Sequence, residues 1–98
     1  MEKTLKNLIT KKQKYYYVYI EKPDVGAKSE KVEIFNDGRG HIIFNWEKST
    51  EFIGFSIREK SKLPAMSFSE LTPCREENKG LYCFDGGDGW KIMISIDL

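Results

Sequence analysis

A chain of 98 residues with 40% apolar, 32% charged and 13% aromatic content fits one folded domain, residues 1–98, whose core can form without metal or disulfide staples. No window approaches the ~20 continuous apolar residues of a membrane-crossing helix, and the opening residues lack a signal peptide's apolar stretch, so the expected compartment is the cytoplasm. The net charge of +1 divides into +4 over residues 1–14 and −3 over the remainder, a positive excess too small and too local for a domain that wraps nucleic acid across a broad face.

Thr4 can cap a helix in which Leu5, Leu8 and Ile9 follow at the i, i+3, i+4 spacing of one apolar face. Lys11, Lys12 and Lys14 then fall near its negative pole, which predicts a short helix of about three turns packed on the rest of the domain. The run Tyr15-Tyr-Tyr-Val-Tyr-Ile20 is aromatic and β-branched throughout and predicts a strand. Residues 21–30 read as an exposed loop around Pro23. Residues 31–35 and 41–46 flank Asn36-Asp-Gly-Arg-Gly40, a hairpin signal with Asp-Gly at its centre, and Ile42, Phe44 and Trp46 share one face of the second strand. Residues 51–58 repeat the alternation, with Gly54 as a candidate kink.

Residues 59–79 break the rhythm. Pro64 and Pro73 confine any helix there to residues 67–71, where Ser67 and Glu70 have capping-box spacing, and the segment reads as a crossover or lid. Residues 81–84, the turn Asp85-Gly-Gly-Asp-Gly89 and residues 90–98 form a last hairpin, in which Trp90, Ile92, Ile94, Ile96 and Leu98 alternate with Lys91, Met93, Ser95 and Asp97. The expected fold is α+β: a single antiparallel sheet of about six strands, a meander plus the C-terminal hairpin, able to curl, with the short N-terminal helix packed on it.

Candidate chemistry is sparse. His41 is the only histidine, and neither Ser56 nor Cys83 lies in a nucleophile elbow. Two cysteines and one histidine fall short of a structural zinc set. Asp85 and Asp88 lack the alternating carboxylates and distal glutamate of a calcium loop, and read instead as turn aspartates. No enzyme, no metal and no cofactor are expected, and Cys74 and Cys83 are expected to stay reduced and buried.

Two surfaces remain. Lys11, Lys12, Lys14, Tyr15, Tyr17 and Tyr19 could stack unpaired bases and hold phosphates, the pattern of a single-stranded nucleic-acid binder. Tyrosine equally suits core packing and protein interfaces. From residue 70 onward six carboxylates face three basic side chains, and Glu76, Glu77, Asp85, Asp88 and Trp90 are the candidate contacts for a basic protein partner. The favoured expectation is a small cytoplasmic protein-binding module that inhibits or neutralises another protein, in the manner of an immunity protein. Unpaired edge strands leave homo-oligomerisation open.

Overall fold

The computed structural model describes residues 2–23, 26–46 and 65–96. The elements are β1 (Glu2–Thr4), α1 (Leu5–Leu8), β2 (Tyr15–Lys22), β3 (Gly26–Asn36), β4 (His41–Asn45), β5 (Met66–Ser69), β6 (Pro73–Asn78), β7 (Leu81–Gly87) and β8 (Trp90–Ser95). All eight strands join one antiparallel sheet in the order β1-β6-β7-β8-β2-β3-β4-β5. Two meanders, β2 to β5 and β6 to β8, are fused where β8 pairs with β2, with Val18 opposite Ile94 and Ile20 opposite Ile92.

Chain connectivity forces this sheet to curl. Six inter-strand spacings of about 4.8 Å would hold β5 and β6 roughly 29 Å apart in a flat sheet. Only Glu70, Leu71 and Thr72 link them, and four Cα steps of 3.8 Å reach about 15 Å at most. The sheet therefore bends into a half-barrel until its two ends meet. The seam is tied by backbone bonds from Leu5 N–H to Thr72 C=O (3.0 Å), Lys6 N–H to Glu70 C=O (2.9 Å) and Glu70 N–H to Gly40 C=O (2.9 Å).

The concave side is the core. Tyr16, Val18 and Ile20 of β2, Val32 and Ile34 of β3, Ile42 and Phe44 of β4, and Ile92 and Ile94 of β8 are all at most 1% exposed, as the period-two alternation requires. Phe44 meets Phe68 and Phe84 edge-on at centroid separations of 5.3 and 5.9 Å, and Phe68 meets Phe84 at 5.1 Å, so rings from β4, β5 and β7 close over the interior. Leu5, Leu8 and Ile9 join the same cluster from the N-terminal segment.

Several expectations are corrected. The N-terminal helix has one turn rather than three: Asn7 Oδ1 accepts from Thr4 N–H and Thr4 Oγ1, Ile9 N–H bonds Leu5 C=O, and the chain then leaves the helix because Tyr16 must enter the core. The Leu5, Leu8, Ile9 stripe is nonetheless buried as its spacing indicates. With so little helix the fold is sheet-dominated rather than α+β, and it has eight described strands rather than about six. Residues 67–71 are not helical. Met66 and Phe68 turn inward and Ser67 and Ser69 outward on β5, so the alternation outweighs the Ser-x-x-Glu spacing. Residues 73–78 pair with both β1 and β7, and Pro73 takes the first position of its strand, where a missing N–H costs least. The expected exposed loop over residues 21–30 mostly belongs to β2 and β3, with Ala27 and Glu30 buried. The strand expected at residues 51–58, with Gly54 and Ser56, lies outside the described residues.

Both signalled hairpins form. Between β7 and β8 the two-residue turn Asp88-Gly89 has φ of 53° and 88°, the positive values of a primed hairpin turn, and Asp85 Oδ1 accepts from Gly87 N–H at 2.9 Å. Cys74 and Cys83 are free and buried. Among the described residues no helix is long and apolar enough to cross a membrane.

One charged pair sits on the inner face. Lys28 lies opposite Ile20 and Glu30 opposite Val18, and the two side chains pair while 11% and 6% exposed. Glu30 Oε2 and Trp46 Nε1 are buried with no hydrogen-bond partner among the described residues.

Candidate protein-interaction face

The outer face of β6, β7, β8, β2 and β3 is built in register rows. Arg75, Cys83, Met93, Tyr19 and Ser29 stand side by side across the five strands. Leu81, Ser95, Tyr17 and Lys31 form the next row. On the other side Asp85, Lys91 and Glu21 alternate in charge. Because Tyr16, Val18 and Ile20 must face inward, Tyr15, Tyr17 and Tyr19 must face outward. Tyr15 and Tyr17 are 37% and 46% exposed. A hollow of about 240 Å³ runs between Tyr17, Tyr19, Leu81 and Met93.

Two of these rings carry a lysine over their face. Lys14 Nζ lies 5.7 Å from the centroid of Tyr15 and Lys31 Nζ 5.7 Å from Tyr17, contacts worth about 0.5–1 kcal/mol at exposed sites; Trp90, by contrast, packs against the core side, with Lys22 Nζ 5.4 Å from its ring. The Tyr19 hydroxyl donates to Glu21 Oε2 at 3.3 Å, and partial burial followed by this carboxylate raises its pKa. The face is an aromatic surface whose charges balance: Lys14, Lys31, Arg75 and Lys91 stand among Glu21, Glu33, Glu77 and Asp85.

The residues expected to receive a basic partner are only partly together. Asp85 and Trp90 line one groove of about 450 Å³ with Pro73, Arg75, Cys83 and Lys91. Glu77 adjoins it through a compact cluster: Cys83 Sγ donates to Glu77 Oε1 at 2.9 Å, and Arg75 Nη2 donates to the same oxygen at 3.1 Å. Glu76 accepts from Gly80 N–H in the β6–β7 turn, and Asp88 is exposed at the tip of the opposite hairpin, so these two stand at opposite ends of β7. Arg75 and Lys91 offset the carboxylates at the groove. The acidic excess seen in composition is thus dispersed rather than gathered into one patch.

Cys83 is poorly suited to be a nucleophile. Burial first, and then its hydrogen bond to Glu77, raise the thiol pKa, while the thiol's donation, ahead of Arg75, lowers that of Glu77. Cys74 faces the core and donates to Thr72 C=O at 3.6 Å. Among the described residues no group of three or more His, Cys, Asp and Glu could hold a metal ion.

Of the residues proposed for nucleic acid, Lys14, Tyr15, Tyr17 and Tyr19 share the outer face. Lys11 and Lys12 lie in the turn between α1 and β2, away from Tyr17 and Tyr19. Sequence reasoning missed Leu81, Met93 and Phe35, which is 43% exposed. Met93 was legible as an outward position of its strand, whereas Leu81 merged into the apolar run of residues 81–84.

No protein-family model, curated protein or solved structure matches this chain.

His41 is exposed at the start of β4, with Nδ1 3.4 Å from Asp37 Oδ2. Asp37 Oδ1 accepts from the N–H of Arg39 at 2.7 Å and of His41 at 3.1 Å, and the Arg39 bond is the largest cause of a lowered Asp37 pKa. A carboxylate depressed in the folded state contributes stability above its unfolded pKa of about 3.9 and loses it as pH falls through the lower folded value. The stability difference between the parent chain and Asp37→Asn, read from urea midpoints, is expected to be level above about pH 5 and to shrink below about pH 4.

Proposed function

We propose that this chain is a small protein-binding module that acts by occupying a partner's surface, as an inhibitor or neutralising protein does. The carrying observation is the outward patch of Tyr15, Tyr17, Tyr19, Leu81 and Met93, in which Lys14 and Lys31 lie over the rings of Tyr15 and Tyr17, the Tyr19 hydroxyl bonds Glu21, and the surrounding charge is balanced. Large, rigid aromatic side chains beside a hollow give contact area at low rotamer cost, which is the make-up of interface hot spots. A surface for single-stranded nucleic acid would need a cationic excess along the same rows, because phosphate contacts bind by displacing counterions. Along those rows Lys14, Lys31, Arg75 and Lys91 each have a carboxylate among their neighbours, and Lys11 and Lys12 lie outside the rows, in the turn after α1.

The test is capture by cross-linking from the native host, using the parent chain and the variants Tyr17→Glu and Met93→Glu, both at outward positions. One protein is expected to be enriched by the parent and lost from both variants, and its activity is expected to fall when the purified chain is added. Steeply salt-dependent binding of single-stranded oligonucleotides, abolished by Tyr17→Ala, would overturn this reading. So would retention of the same partner by both charge variants.

A further inference from the structure

We propose that the groove between the turn after α1 and strand β3 receives an acidic segment of the partner protein, anchored by one large apolar side chain; this rests on the reading of the chain as a protein-binding module. The groove measures about 330 Å³, the low end of the ~300–1,000 Å³ range of built binding sites. Its exposed apolar surface is Phe35, which is 43% exposed although it is large and aromatic, backed by the buried Ile9 and Ile34. Its rim carries Lys11 and Lys14, with Lys12 next in the chain, all three exposed.

Charge decides the sign of the occupant. Among the described residues Glu33 is the one carboxylate lining the groove. It is 9% exposed, lies 3.5 Å from Lys14 Nζ and accepts from Asn45 Nδ2 at 3.2 Å. It can therefore offset Lys14, whereas Lys11 and Lys12 have no ion pair among the described residues. Elsewhere three carboxylates stand by cations of their own: Glu77 has Arg75, Glu70 has Lys6 and Asp85 faces Lys91. The turn holding the lysines is itself fixed. Thr10 N–H donates to the Tyr16 hydroxyl at 3.1 Å, Gln13 Nε2 to Tyr15 C=O at 3.0 Å, and Ile34 N–H to Lys14 C=O at 3.1 Å. Binding would therefore order little backbone that is not already ordered. Tyr15, outward and beside Lys14, joins the groove to the Tyr17 and Tyr19 patch, so one partner could span both.

The test uses the full chain, isotopically labelled, titrated with an end-blocked pentapeptide in which phenylalanine is flanked on each side by two acidic residues. Amide shifts are expected at residues 9–14 and 34–36. Affinity is expected to fall about tenfold when the peptide's phenylalanine becomes alanine or when Phe35→Ala is introduced, and about fivefold in the Lys11→Glu/Lys12→Glu chain. Equal binding of a lysine-flanked peptide overturns the assignment, as do shifts confined to other residues or no shift at millimolar peptide. If the partner captured above is held equally well by the Lys11→Glu/Lys12→Glu chain, the groove assignment falls and the protein-binding reading stands. If the acidic peptide titrates into the groove but no protein partner is captured, the reading falls and the groove stands.

Discussion

Phe44→Ala is expected to lower stability by about 3–5 kcal/mol, the usual cost of truncating a fully buried phenylalanine. Phe44 is 0% exposed, and its ring lies 6.1 Å from Trp46, 5.3 Å from Phe68 and 5.9 Å from Phe84. Those partners come from the residue after β4, from β5 and from β7, so this one ring fastens the two meanders across the interior. Domains of this size have about 5–15 kcal/mol of stability in total, so the variant is expected to lose a substantial fraction of its margin. The cavity cannot collapse easily, because the strands around it are tied by their ladders. Phe44→Leu keeps much of the volume and is expected to cost less than half as much. Urea denaturation followed by tryptophan emission measures both. Equal midpoints for Phe44→Ala and the parent chain would contradict the placement of this ring at the centre of the core.

The second large effect concerns Lys28 and Glu30. Lys28→Met strands the Glu30 carboxylate, whose side chain is 6% exposed and whose Oε2 already has no hydrogen-bond partner among the described residues. Breaking a buried pair by removing one member costs about 3–5 kcal/mol. Glu30→Leu leaves the lysine, whose side chain is 11% exposed and whose long stem can carry the ammonium toward water, so its cost should be smaller. Lys28→Met/Glu30→Leu removes both charges among Val18, Ile20 and their neighbours, and is expected to be much closer to the parent than Lys28→Met alone. A double-mutant cycle on urea midpoints tests this through its sign, since a buried pair must show strong coupling. Additive single effects would mean that the pair is solvated.

How far the sequence could be read depends on which residues carry the signal. Ile42 and Phe44, and Ile92 and Ile94, announce their strands because each apolar side chain has a polar or outward neighbour. Tyr15, Tyr17 and Tyr19 are equally legible as one face, but which side is wet is not, because the opposite face also carries a tyrosine, Tyr16, beside Val18 and Ile20. Leu5, Leu8 and Ile9 show their common face but not where the helix stops, since Lys11, Lys12 and Gln13 are compatible with helix and turn alike. Met66 to Ser69 is too short for its alternation to outweigh a capping-box spacing. Lys28 and Glu30 look like loop residues, and only their pairing across from Ile20 and Val18 reveals an ion pair in the core. The interaction face was the least legible part. It combines Tyr17 with Leu81 and Met93 through the β2–β8 and β7–β8 ladders, and no local pattern encodes that pairing. The neutralisation of Glu77 by Arg75 is likewise visible only in three dimensions, which is why composition suggested an acidic patch that the surface does not present.

The fusion of the two meanders along β2 and β8 has a bearing on biosynthesis. Val18 and Ile94 are paired although 76 residues separate them, so at 5–20 residues per second a ribosome needs roughly 4–15 s to deliver the second after the first. Throughout that interval the nascent tyrosine-rich β2 strand has one backbone edge without its eventual neighbour, the kind of edge that chaperones shield and aggregates recruit.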